Sequence, residues 1–193
     1  MNSAYQVVLG LHILGAFGLV ASIGMEALVV RGFASAATAE EARPFLGAYQ
    51  ILRFLAPGSL LLILLAGLYM TATVWKWTGW NVVGILALIA IGAIWGTVNG
   101  RKMAQIGPAV GRSRGALTAE VRSMLASRAF RISLWSRIGI VTAVVFIMTL
   151  KPGFLASLVI VVVGGALGAA YALVARGQNV QRGSNARTPS AVG

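Results

Sequence analysis

An all-α membrane protein, a bundle of five antiparallel transmembrane helices, is the fold this sequence predicts, and three observations predict it. Hydrophobic residues fill 58% of the 193 positions and charged residues only 10%, more apolar surface than a water-soluble domain can hide. The apolar residues gather into five runs near the length of about 20 residues that a hydrocarbon core about 30 Å thick requires. The 16 basic residues are divided unequally between the ends of those runs, with Lys76 and Lys151 on one side and all the others on the opposite side.

The first predicted helix covers about residues 4–30, interrupted only by Gln6, His12, Ser22 and Glu26. At 1.5 Å per residue it is long enough to span with tilt. The second, 54–74, is uniformly apolar. The third, 81–99, is flanked by Trp80 and by Asn99-Gly100-Arg101-Lys102, which bring its ends to the headgroups. The stretch from Ile138 to Leu150 is too short to cross alone, so the fourth helix is placed at 132–150, with Arg137 reaching back along its own stem to the interface. The fifth, 154–175, carries no charge. Together these make one polytopic domain over residues 1–176, followed by a basic tail, 177–193, too poor in apolar residues to fold alone.

Trp75 to Gly79 and Lys151-Pro152-Gly153 read as tight turns. The longer loops, Arg31 to Arg53 and Asn99 to Arg137, and the tail hold the remaining basic residues. The positive-inside rule then puts the amino terminus outside and the carboxyl terminus in the cytoplasm. The net charge of +12 is read as attraction to anionic lipid on that face, not nucleic-acid binding, since no recognition module accompanies it. Thr38-Ala39-Glu40-Glu41 has the spacing of a capping box and predicts a short interfacial helix running towards Pro44. Thr118 opens a second basic, amphipathic stretch expected to lie along the membrane. Trp75, Trp77, Trp80 and Trp135 are read as interfacial anchors.

The chemical inventory is small. The chain has no Cys, one His and four acidic residues, all Glu. Disulfides, thiolate metal sites, a phosphate-binding Gly-rich loop and a His-Glu-x-x-His zinc motif are all excluded. What remains is one stripe of the first helix. His12 and Glu26 are fourteen residues apart, which brings them within about 40° of each other around the axis. Gly15, Leu19 and Ser22 lie between them, and small residues on such a stripe admit a neighbouring helix or a flat cofactor. An ionisable group inside a membrane is a functional candidate by default. For Glu26 the sequence offers an ion pair with Arg53, Arg101 or Arg137, or a role in a proton or cation relay. His12 either hydrogen-bonds Thr71, Tyr69 or a backbone carbonyl, or ligates haem b iron, with Gly67 giving room for the macrocycle and Met70 or Met148 as a second ligand.

Leu11-His12-Ile13-Leu14-Gly15, Leu65-Ala66-Gly67-Leu68, and Trp80 opening a helix that closes on Gly100-Arg101-Lys102 resemble the superfamily of copper-resistance D membrane proteins and HemJ-type protoporphyrinogen oxidases, over roughly the first hundred residues. The resemblance implies a compact antiparallel helical bundle in the bacterial inner membrane and, from the HemJ branch, a haem-linked histidine at the place of His12. That branch also carries a lysine in the third helix. Asn81 to Val98 contains no Lys, Arg or His, so the chain is read as a relative in which the fold is carried over and the oxidase activity is not. Gly164-Gly165-Ala166-Leu167-Gly168 adds a Gly-x-x-x-Gly spacing, which serves either packing within the bundle or a homodimer. Two function classes follow: a haem-binding membrane protein built on His12, or a small transporter or membrane accessory protein with no cofactor.

Overall fold

In a computed structural model of the chain the backbone is described for residues 3–185 and the side chains for residues 3–174. Five helical stretches are long and apolar enough to cross a membrane. They are built from α1 (Ser3–Ser35), α2 (Ala39–Met70) with a π-helical end at Thr71–Trp75, α3 (Gly79–Ile94) running through a π-helical segment, Trp95–Gly100, into α4 (Arg101–Arg112), the short α5 (Ala119–Leu125) leading to α6 (Arg128–Leu150), and α7 (Phe154–Asn185). Two hairpins, α1 with α2 and α6 with α7, supply most of the packing between helices, and α3 joins them. Outward-facing Leu14, Phe17, Phe54, Leu65, Phe146 and Leu155 are exposed, as expected of side chains whose solvent is hydrocarbon.

Small residues set the closeness of the α6–α7 hairpin. A Cβ added at Gly139 would collide with the Gly164 carbonyl, and one at Gly168 with the Trp135 carbonyl. Ser136 Oγ donates to the Gly165 carbonyl at 3.2 Å across the same seam. The Gly-x-x-x-Gly spacing therefore serves packing within the bundle, one of its two expected uses.

Several boundaries depart from the sequence expectation, for a common reason. At 33 residues α1 is about 50 Å long, well beyond the hydrocarbon thickness, and α2, α4 and α6 also extend past the apolar runs. On the basic side these extensions pack with α5 into a second apolar core that includes Val29, Phe33, Leu52, Ile106, Leu125 and Phe130. Thr38 does cap a helix, its hydroxyl accepting from the Glu41 amide at 3.3 Å, but that helix is α2 itself. It continues through Pro44 and Pro57 to Met70, so there is no separate interfacial helix ending at Pro44. Helical backbone continues past Gly177 to Asn185, where an unfolded tail was expected; residues 186–193 lie outside the described residues.

On the opposite side two left-handed residues make the turns. Lys76 has φ 59° and Lys151 φ 49°, the second at the end of α6, where its amide still donates to the Ile147 carbonyl. Asn81 ties the first turn by accepting from the Thr78 amide at 2.9 Å and donating to the Lys76 carbonyl at 2.6 Å. Trp77 is exposed, as an interfacial anchor should be, whereas Trp80 is only 7% exposed and packs 5.4 Å from Trp75. Trp80 is thus part of the bundle, not a lipid anchor.

Candidate functional site

The stripe read on α1 is its buried face: His12, Gly15, Leu19, Ser22 and Glu26 all point inward. Its two ionisable members lie about 21 Å apart along the helix axis and meet different surroundings.

Glu26 is the centre of a buried polar cluster. Arg137 of α6 makes a two-pronged pair with it, Nη1 donating to Oε2 at 2.9 Å and Nη2 to Oε1, while Nε donates to the Ser133 carbonyl at 3.1 Å. Asn99 Nδ2, from the π-helical segment between α3 and α4, donates to Oε1 as well. Glu26 and Arg137 are each 2% exposed and Asn99 is fully buried. The cluster draws one residue from each of three separate stretches of chain, and both carboxylate oxygens are engaged. A planar guanidinium suits this task because its fork matches the carboxylate. Inside hydrocarbon such a pair holds only if its geometry is good, since each ion has lost its hydration.

Of the three partners expected for Glu26, then, Arg137 is the one used. It does not reach to the interface, as its place near the start of the fourth helix had suggested; the helix begins nine residues earlier, at Arg128, so Arg137 is already inside the bundle. Arg53 and Arg101 are exposed. Asn99, expected at the headgroups, belongs to the cluster. Asn99 is the buried residue of the π-helical segment Trp95–Gly100, whose i→i+5 bonds widen the coil; such turns recur at functional sites.

His12, 8% exposed, has Nδ1 3.2 Å from the Ile63 carbonyl of α2, the backbone alternative among its expected partners. The edge of its ring faces Trp75 with centroids 6.4 Å apart. A Cβ at Gly67 would lie 3.5 Å from the imidazole, so Gly67 and His12 are neighbours as expected. The space beside them, walled also by Thr71, Trp80, Asn81 and Met148, measures about 20 Å³. That is room for about one water molecule, against the 300–1,000 Å³ typical of a cofactor pocket. Gly15 does not open towards it: a Cβ there would meet Ile63 Cγ1 at 2.8 Å and the Ser59 carbonyl at 3.2 Å, which makes Gly15 a close contact between α1 and α2. Met70 is fully buried and is not part of the wall of this space. Haem does not fit between these residues as they are packed; a macrocycle would require α1, α2 and α3 to part.

Larger spaces lie at the other end. A cleft of about 470 Å³ opens between α2 and the α3–α4 junction, lined by Tyr49, Gln50, Arg53 and Trp95 among others. A smaller void of about 60 Å³ runs from Trp95 to Ser22 and Arg137, so Trp95 separates the cleft from the ion pair. Tyr49 stacks on Trp95 with centroids 6.4 Å apart and planes 18° from parallel. Among the described residues no group of three or more His, Cys, Asp or Glu side chains converges on a metal-sized site. Compared with family models, with curated proteins and with solved structures, the chain matches none.

Proposed function

We propose that the chain is a multi-pass protein of the bacterial inner membrane, amino terminus outside and carboxyl terminus in the cytoplasm, acting as a membrane accessory or assembly component without haem. The five apolar helices support the membrane assignment, and the excess of Lys and Arg on one side supports the orientation. The observation that carries the rest is the Glu26–Arg137–Asn99 cluster. Both carboxylate oxygens of Glu26 are held by fixed donors, and the stripe from Glu26 to His12 is sealed by Leu19, Ile23, Ile63, Leu88 and Ile91. A carboxylate so committed clamps α1 to α6 and to the end of α3. A relay or pore would need an open polar path along the bundle instead.

The test compares the wild type with Glu26→Gln in proteoliposomes and in detergent. A clamp predicts unchanged pH-dependent ion flux together with a lower melting temperature; altered flux at unchanged stability would establish the transporter reading in its place. A Soret band that follows reconstitution with haem and is lost in His12→Ala would bring back the cofactor reading. Reporter fusions at the two termini check the orientation, which fails if both report the same compartment or if the amino terminus reports the cytoplasm.

A further inference from the structure

We propose that the cleft between α2 and the α3–α4 junction binds the headgroup of an anionic phospholipid. The inference rests on the chain lying in a membrane, but not on its orientation.

The lining supplies donors and positive charge and contains no acidic residue. Arg53 is exposed beside the cleft, its guanidinium carbon 5.1 Å from the Phe54 ring. Among the described residues the one salt bridge is Glu26–Arg137, so Arg53 has no carboxylate of its own. Trp95 closes the cleft on the side of the ion pair. Gln50 and Tyr49 are the other polar residues of the lining. Its complement is an acceptor-rich anion of modest size, since about 470 Å³ lies within the range of small-molecule sites.

Depth and surroundings indicate what carries that anion. The apolar run of the second helix begins at Phe54, directly after Arg53, which sets the guanidinium at the edge of the hydrocarbon where lipid phosphates sit. Basic pockets between helices at this level are suited to anionic headgroups. Gln50 is shared between the cleft and an open groove along Ile51, Phe54 and Leu55. Ile51 is 59% and Phe54 71% exposed, which offers an acyl chain an apolar track leading from the headgroup. A soluble phosphate would leave that track unused.

Native mass spectrometry of the full chain in detergent, titrated with short-chain phosphatidylglycerol, phosphatidylcholine, glycerophosphoglycerol or inorganic phosphate, tests the site independently of orientation. Phosphatidylglycerol is expected to bind at least about tenfold more tightly than phosphatidylcholine, and Arg53→Gln to weaken it about tenfold, the scale of one lost charge-assisted hydrogen bond. Arg122→Gln, which alters an exposed basic residue on α5 away from the cleft, should leave it unchanged. Arg53→Lys, which keeps the charge, should retain preference for the anionic lipid. Equal binding of the two lipids would overturn the proposal. So would wild-type affinity in Arg53→Gln, or glycerophosphoglycerol or phosphate binding as tightly as the lipid.

Discussion

His12 and Glu26 occupy the same face of the same helix, yet one is a packed polar side chain with a single hydrogen-bond contact and the other is the hub of an ion cluster. His12 has the Ile63 carbonyl and a space of about 20 Å³. Glu26 has Arg137 and Asn99 and is charged against a charge. The difference shows that an ionisable residue in an apolar helix acquires its role from the partners that other helices bring to its depth, not from its own rarity.

The largest effect should come from leaving one buried charge alone. Arg137→Met removes the guanidinium from the cluster, strips Glu26 of its counter-ion and should lower stability by about 3–5 kcal/mol, measured by thermal or denaturant unfolding in detergent. Next in size is the seam of the α6–α7 hairpin. Gly168→Leu places a side chain where even a Cβ meets the Trp135 carbonyl, and should cost about 1–3 kcal/mol by overpacking, with loss of α6–α7 cross-linking between cysteines introduced at facing positions. If Gly168→Leu left both unchanged, close packing of this hairpin would be dispensable. His12→Ala should be milder, about 0.6–1.5 kcal/mol for an interhelical hydrogen bond. A cost as large as that of Arg137→Met would erase the distinction between the two places. Thr38→Ala, at the cap of α2 outside the apolar runs, should cost about 1 kcal/mol, seen as increased amide exchange over Glu41 and the next turn.

The count of five spanning helices was legible because hydropathy needs only length and composition, and 154–175, without a charge, is the clearest case. The inward stripe of α1 was legible from angle alone. Arg137 and Asn99 were harder. Each stands at the polar end of an apolar run, and there hydropathy assigns a residue to the headgroups, whatever partner waits inside. A depth comparison would have helped: Glu26, Asn99 and Arg137 all lie within about one turn of the basic ends of their predicted helices. The second core was hidden for a related reason. Ile106, Val110 and Leu125 are too sparse among Arg and Gly to read as a membrane span, and they become a core only when the ends of α1 and α2 cover them. The narrowness of the space at His12 depends on Ile63 and Trp80 closing in from other helices, which no spacing along one chain reveals. Among the glycines chosen as room for a cofactor, Gly67 does face the imidazole, while Gly15 faces a helix backbone.

A double-mutant cycle on Glu26 and Arg137 measures the central claim most directly. Glu26→Gln and Arg137→Met are each expected to lower the unfolding free energy by about 3–5 kcal/mol, and the pair together to lose much less than their sum, because no uncompensated charge is left in the bundle. If the double variant instead loses the full sum of the single losses, the two side chains are not coupled, and the clamp that joins α1 to α6 does not exist.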